Sequence, residues 1–194
     1  KKETLLDGME AEDEEEGEEE EYDEHVWTSP KNAIKICEAI SKAVCEKDSK
    51  NEKYYSDRAF AYIAELEKLD VSFGELSKKA ADRSFIVADR FPFKYLADEY
   101  SLSFYAAFPG CSAQSDANPA TVAYLINKAK SENINVVFKV DLSSGNVAAS
   151  IGEGAGAEIL TLYSGHVVSA ADFENGETYI SLMEKNVASL ERAL

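Results

Sequence analysis

The sequence contains only two histidines, and each stands where an imidazole could ligate a metal ion. His25 belongs to Tyr22-Asp23-Glu24-His25-Val26-Trp27-Thr28-Ser29-Pro30, which follows a long run of carboxylates. Between Asp7 and Glu24 there are 13 Asp or Glu and no Lys or Arg. A neutral imidazole offers one nitrogen lone pair and suits zinc, copper, iron or nickel. The plainer reading of His25 is a surface histidine beside a solvated acidic segment. Trp27 argues instead for an ordered, half-buried site, because an indole is rarely left in water. His166, in Tyr163-Ser164-Gly165-His166, is likewise either a lone surface histidine or a ligand. Cys111, in Pro109-Gly110-Cys111-Ser112-Ala113, is a small packed residue or a thiolate for a soft or borderline metal. Asp89 is a carboxylate ligand or the salt-bridge partner of a nearby cation. The candidate metal set is therefore His25, His166, Asp89 and Cys111.

The elements that must position these residues follow from periodicity and punctuation. Ser29-Pro30 reads as a helix start with Pro in the first turn, and Ile34, Ile36, Cys37, Ile40 and Val44 mark an apolar stripe. A second helix is expected from about Glu52 to Ala81, with Tyr55, Phe60, Tyr62, Ile63, Leu66, Leu69 and Phe73 at helical spacing. At ~1.5 Å per residue it would be about 45 Å long, the length of a helix that spans two lobes. Beyond Asp82 strands alternate with helices. Strands are expected at Ser84 to Asp89, Ser103 to Phe108, Ile134 to Val140 and Glu158 to Leu162. Helices are expected at Phe91 to Tyr100, Pro119 to Asn133, Asn146 to Gly152 and Asn175 to Leu194. This is α/β grammar: a parallel four-stranded sheet flanked by helices, plus the long connecting helix. Ligands of such sheets sit beyond the carboxyl ends of the strands, which shortlists Asp89-Arg90, Gly110-Cys111-Ser112, Asp141 and Tyr163 to His166.

The net charge of −17 comes mostly from the acidic run. Outside it, 24 Asp and Glu face 20 Lys and Arg. A run of carboxylates with almost nothing apolar cannot pack, but it can gather divalent cations through its local potential. No basic patch or Arg-rich helix points to nucleic acid. No apolar run approaches the ~20 residues that span a bilayer, and the N-terminus is not a signal peptide. Lys1 to Leu6 reads as the end of a helix, so the chain is expected to be a fragment. Cys37 and Cys45, about 12 Å apart along one helix, cannot bridge and are expected to be small buried residues. Gly152-Glu153-Gly154-Ala155-Gly156 follows a helix and precedes a strand, the reverse of a phosphate loop, and is read as a helix end. No Ser-His-Asp set, HExxH or CxxC argues for hydrolysis or redox chemistry.

The segment Tyr22 to Ala33 resembles the Asp-Pro-His-Ile-Trp-Leu-x-Pro-x-Asn-Ala motif of the zinc- and manganese-binding substrate-binding proteins of ABC transporters. Asn51-Glu52-Lys53-Tyr54-Tyr55 with Tyr62 to Leu66 is similar to the start of that family's long inter-lobe helix. Phe93 to Ala97 resembles its Phe-Gly-Tyr-Phe-Ala segment. Tyr179, Met183 and Asn186 match its C-terminal Tyr-x-x-x-Met-x-x-Asn. The resemblance covers essentially the whole chain and implies two α/β lobes that bind metal between them. On that basis residues 1–24 are an acidic disordered loop, 25–50 a remnant of the N-terminal lobe, 51–82 the connecting helix and 83–194 the C-terminal lobe. His25 falls on a family ligand. A second family histidine falls at Arg90, and the family carboxylate falls near Tyr163, where Asp89 and His166 are candidate replacements. The first family ligand falls upstream of Lys1.

The resemblance implies a non-catalytic, monomeric extracytoplasmic protein, at the cell surface or in the periplasm, anchored through the absent N-terminal part. It would hand Zn2+, or alternatively Mn2+, to an ABC-transporter permease. Two other classes stay open: a metal-independent surface adhesion or structural protein with an acidic spacer, and an α/β enzyme using Cys111 as nucleophile and His166 as base.

Overall fold

The computed structural model describes residues 22–80, 83–109 and 117–194. Cys111 and most of the acidic run lie outside these. Helix α1 (Pro30–Lys47) starts where Ser29 accepts from the backbone N of Asn32 at 3.3 Å, with Pro30 in the first turn. A tight turn held by Asp48 leads into α2 (Glu52–Lys79). The Asp48 carboxylate accepts from Asn51 Nδ2 at 2.8 Å and from the Tyr55 hydroxyl at 2.9 Å.

The remainder is the expected alternation: β1 (Ser84–Phe91), α3 (Lys94–Glu99), β2 (Ser103–Pro109), α4 (Pro119–Ser131), β3 (Val136–Val140), α5 (Asn146–Ala155), β4 (Glu158–Leu162), α6 (Ala170–Glu174) and α7 (Tyr179–Ala193). The four strands form one parallel sheet in the order β2-β1-β3-β4. The alternation of side chains along a strand builds both faces. Phe85 and Val87 of β1 join Phe73 and Leu76 of α2, Phe138, Leu162, and Met183 and Leu190 of α7 on one side. Ile86 and Ala88 join Leu125 and Ala129 of α4, Val137, and Val147, Ala148 and Ile151 of α5 on the other. Burial on both faces is what a parallel sheet requires.

Several details differ from the sequence reading. β1 runs through Phe91, because a register irregularity between Val87 and Arg90 carries the strand on to pair Phe91 with Pro109. Phe91 stacks on Phe104 at 3.6 Å between centroids, and α3 therefore starts later than expected. The closing helix starts later than expected, where Thr178 opens α7 with a capping box. It is preceded by the short α6, absent from the sequence reading, after which the chain turns at Gly176 with φ +76. The glycine-rich segment does end a helix, with Gly156 at φ +74 after α5. In α2, Leu66, Leu69, Phe73 and Leu76 are buried, but Phe60 is 76% exposed. Ile36 and Ile40 on α1 are also exposed. The buried residues of α2 lie between Leu66 and Leu76, where the helix joins the core against the sheet, so the earlier part of its apolar stripe and that of α1 lack this cover. Cys37 and Cys45 are half-buried rather than buried for the same reason, and desolvation still pushes the Cys37 thiol up. No helix among the described residues is long and apolar enough to cross a membrane.

Candidate metal centre

The segment after the acidic run is ordered by local bonds. Val26–Thr28 forms a single 3-10 turn between His25 and Ser29. The Thr28 hydroxyl donates to the His25 carbonyl at 2.8 Å, and the Thr28 backbone N donates to the same oxygen at 3.1 Å. Thr28 and Ser29 are fully buried. This turn delivers His25, itself 7% exposed, from the start of α1 toward the sheet.

Long-range bonds dock the turn on the loop after β4. Trp27 Nε1 donates to the Ser164 carbonyl at 2.9 Å, and the Tyr179 hydroxyl of α7 donates to the Trp27 carbonyl at 2.7 Å. Burial pushes the Tyr179 phenol up, so it remains a donor. Ser164 is the hub of this loop. Its backbone N donates to Asp141 Oδ1 at 2.8 Å, and its Oγ accepts from the His166 backbone N at 3.2 Å. Asn186 of α7 is fully buried and brackets the preceding residue: Oδ1 accepts from Tyr163 N at 2.7 Å and Nδ2 donates to Tyr163 O at 2.8 Å. It acts as a surrogate strand partner where β4 ends. Gly165, at φ +67, turns the chain so that His166 follows; its missing Cβ faces Trp27 Nε1 at 3.7 Å.

The result is a three-ring cluster. The imidazoles of His25 and His166 lie 5.7 Å apart between centroids at 62°, with Trp27 at 5.4 Å from the first and 5.8 Å from the second. Two rings sharing one tetrahedral zinc stand with centroids about 5 Å apart, given Zn–N near ~2.1 Å. The pair is thus close to the spacing at which both could bind one cation. His166 is exposed and His25 is shielded, so one imidazole is fixed in the protein and the other faces outward.

The other candidates fall elsewhere. Asp89 lies at the crevice between β1 and β3, where the strand order reverses, and its carboxylate accepts from Arg90 N at 2.9 Å and Val140 N at 3.4 Å. The structure does not group it with the histidines: no set of three or more His, Cys, Asp or Glu among the described residues could hold a metal ion. Cys111 lies outside the described residues. Asp23 corrects the expectation that the acidic run cannot pack. It is 2% exposed, and its Oδ1 accepts from the His25 backbone N at 2.7 Å and lies 3.0 Å from His25 Nδ1. Asp141 and Ser164 stand on the strand-end shortlist and do hold this loop. Asp23 is on no shortlist; its spacing, two residues before a histidine, is the signal that could have found it.

A family model described as zinc-uptake complex component A, periplasmic (ZnuA), matches residues 1–193. The chain is 32% identical over 172 residues to the high-affinity zinc uptake system protein ZnuA of Bacillus subtilis, covering 89% of this chain and 53% of that protein. It is 30% identical over 172 residues to the iron-binding protein YfeA of Yersinia pestis, covering 87% of this chain and 54% of that one. Among solved structures it is similar to the metal-dependent lipoprotein YcdH of B. subtilis, with a TM-score of 0.77, 31% identity, and 89% and 64% of the two chains covered. The Zn(II)-bound ZnuA-like domain of Streptococcus pneumoniae AdcA gives a TM-score of 0.75 at 30% identity, with the same coverage of 89% and 64%. The chain spans about half the length of these two curated relatives.

Proposed function

Because this chain belongs to the ZnuA family of periplasmic zinc-uptake components, we propose that it captures a divalent transition metal outside the cytoplasm for import by an ABC transporter. The observation that carries the reading is the approach of His25 and His166 to 5.7 Å, made by two segments far apart in sequence. Two imidazoles suit zinc, and the similarity to both a zinc-uptake protein and an iron-binding protein keeps the cargo among the transition metals. The family is one of metal-binding transport components rather than of enzymes.

Two imidazoles do not complete a zinc shell, which takes four ligands. We assign the remainder to a second lobe and to candidates on this one: Asp89, after a rearrangement of the β1–β3 crevice, and Cys111. The domain reading supplies that lobe: residues 25–50 belong with it, 51–82 connect, and 83–194 form the C-terminal lobe. The exposed Ile36, Ile40 and Phe60 support packing of further protein against α1 and the start of α2. The partner is a membrane permease, and the whole protein is a monomer anchored outside these residues. The acidic run raises the local cation concentration beside His25 without entering the coordination shell.

Elemental analysis together with calorimetric titration of zinc and manganese tests this. The expected result is one zinc per chain, bound more tightly than manganese and more weakly at lower pH, since protons compete for the imidazole lone pairs. Protein that carries no metal, and whose stability ignores both metal and chelator, would favour the adhesion or structural reading.

A further inference from the structure

We propose that Asp23 is a positioning residue for metal capture: its carboxylate holds the proton of His25 on Nδ1, so that Nε2 is the nitrogen offered to the cation. The proposal rests on the reading of His25 as a ligand.

The geometry leaves little choice of tautomer. An ionised carboxylate only accepts, so the 3.0 Å contact between Asp23 Oδ1 and His25 Nδ1 requires the proton on Nδ1. In neutral imidazole the lone pair then sits on Nε2 alone. The carboxylate cannot swing away easily. Its own Oδ1 also accepts from the His25 backbone N at 2.7 Å, and the Tyr95 hydroxyl of α3 donates to the Asp23 carbonyl at 3.1 Å. The ring is confined on its other sides by Trp27 and His166.

Turn formation alone does not account for an aspartate here. The bond from His25 N to Oδ1 is an Asx turn, which Asn closes equally well without a buried charge. Asp23 has a side chain shielded completely from solvent, and its Oδ2 has no hydrogen-bond partner among the described residues. Burying a carboxylate with one oxygen unpaired is costly. A negative charge behind Nδ1 strengthens that hydrogen bond and makes Nε2 a better donor to a cation, which offsets the cost in the metal-bound form.

The test compares wild type with Asp23→Asn and Asp23→Ala. Long-range proton–nitrogen spectra of the metal-free protein report the His25 tautomer, and competition titration with zinc chloride reports affinity. The expected spectra show Nδ1–H in wild type and Asp23→Asn, and a population with Nε2–H in Asp23→Ala. Asp23→Asn preserves the turn but loses the charge, and its zinc affinity should fall about tenfold, with Asp23→Ala nearer a hundredfold. If Asp23→Ala does not fold, Asp23→Asn decides alone. A wild-type ring protonated on Nε2, or an Asp23→Asn affinity within about twofold of wild type, would overturn the proposal. His25→Ala separates the two levels. Unchanged zinc affinity there defeats the reading of His25 as a ligand, whereas a fall there with no fall in Asp23→Asn defeats the role of Asp23 alone.

Discussion

The indole Nε1 of Trp27 donates to the carbonyl of Ser164 at 2.9 Å, a bond that joins residues 137 positions apart. It locks the segment carrying His25 onto the loop carrying His166, and so makes one site of two. Ser164 passes the connection to Asp141 at the end of β3, and Tyr179 holds the other side of Trp27 from α7. The relative position of the imidazoles is therefore set by the packed lobe rather than by the loops themselves.

Trp27 is the only tryptophan and touches both imidazoles, so its fluorescence should report the site directly. Zinc titration is expected to shift or quench the emission with saturation at one equivalent. His25→Ala and His166→Ala should each flatten the response in the same concentration range. A saturable response that survives both substitutions would place the metal elsewhere.

Tyr179→Phe removes the donor to the Trp27 carbonyl and leaves the ring in place. One such hydrogen bond is worth about 1 kcal/mol. Denaturant unfolding should show a loss of that size, with zinc affinity reduced several-fold because the turn beneath His25 loosens. Equal stability and equal affinity in the variant would show that Trp27 is held by its Ser164 bond alone.

Asn186→Leu keeps bulk but strands the N–H and C=O of Tyr163, which are otherwise bracketed by the amide. Each unsatisfied group costs about 1–3 kcal/mol, and partial access to water at Tyr163 places the sum near ~2–3 kcal/mol. Thermal and denaturant melts measure it. A loss below about 0.5 kcal/mol would mean that water replaces the amide, a result at odds with the buried position of Asn186.

These predictions draw on residues of unequal legibility. The strands were readable because Phe85 to Ala88 and Val136 to Phe138 are short apolar runs between turn residues. The resemblance at Tyr179, Met183 and Asn186 marked the helix that closes the site, but the bracketing of Tyr163 by the Asn186 amide joins residues 23 apart and has no local sequence signal. Strand order was not readable, since alternation fixes parallel pairing and leaves the neighbours open. The β1 irregularity that turns Asp89 onto backbone N–H groups has no sequence signature of its own. Asp23 was hidden by its neighbours: one carboxylate at the end of a charged run looks like the others until its partner is known. The strand-end rule found His166, whereas its partner His25 comes from before α1 and became visible through the motif around Trp27.

A pH dependence follows from Glu177, just before α7, and Lys185, in the middle of that helix. Hydrogen bonds from Lys185 and then Ser181 hold the Glu177 carboxyl below its ordinary value, and the bond from Glu177 raises the Lys185 ammonium above its own. Glu177 therefore contributes stability that is complete above its unfolded pKa, about 4.3, and is lost as pH falls through its folded one. Lys185 contributes stability that is complete below its unfolded pKa, about 10.4, and is lost as pH rises through its folded one. The stability difference between wild type and Glu177→Gln should be flat from about pH 6 to 9 and shrink on both sides. It should also shrink with added salt, because both groups are solvent-accessible. A difference that grows toward acid would contradict the pairing.

The most direct test of the shared site is anomalous diffraction at the zinc edge from crystals of the protein grown with zinc. The account predicts a single strong peak within about 2.0–2.1 Å of one ring nitrogen of His25 and one of His166. A zinc peak bound by neither imidazole, or by His166 alone at the surface while His25 keeps its present surroundings, would contradict it.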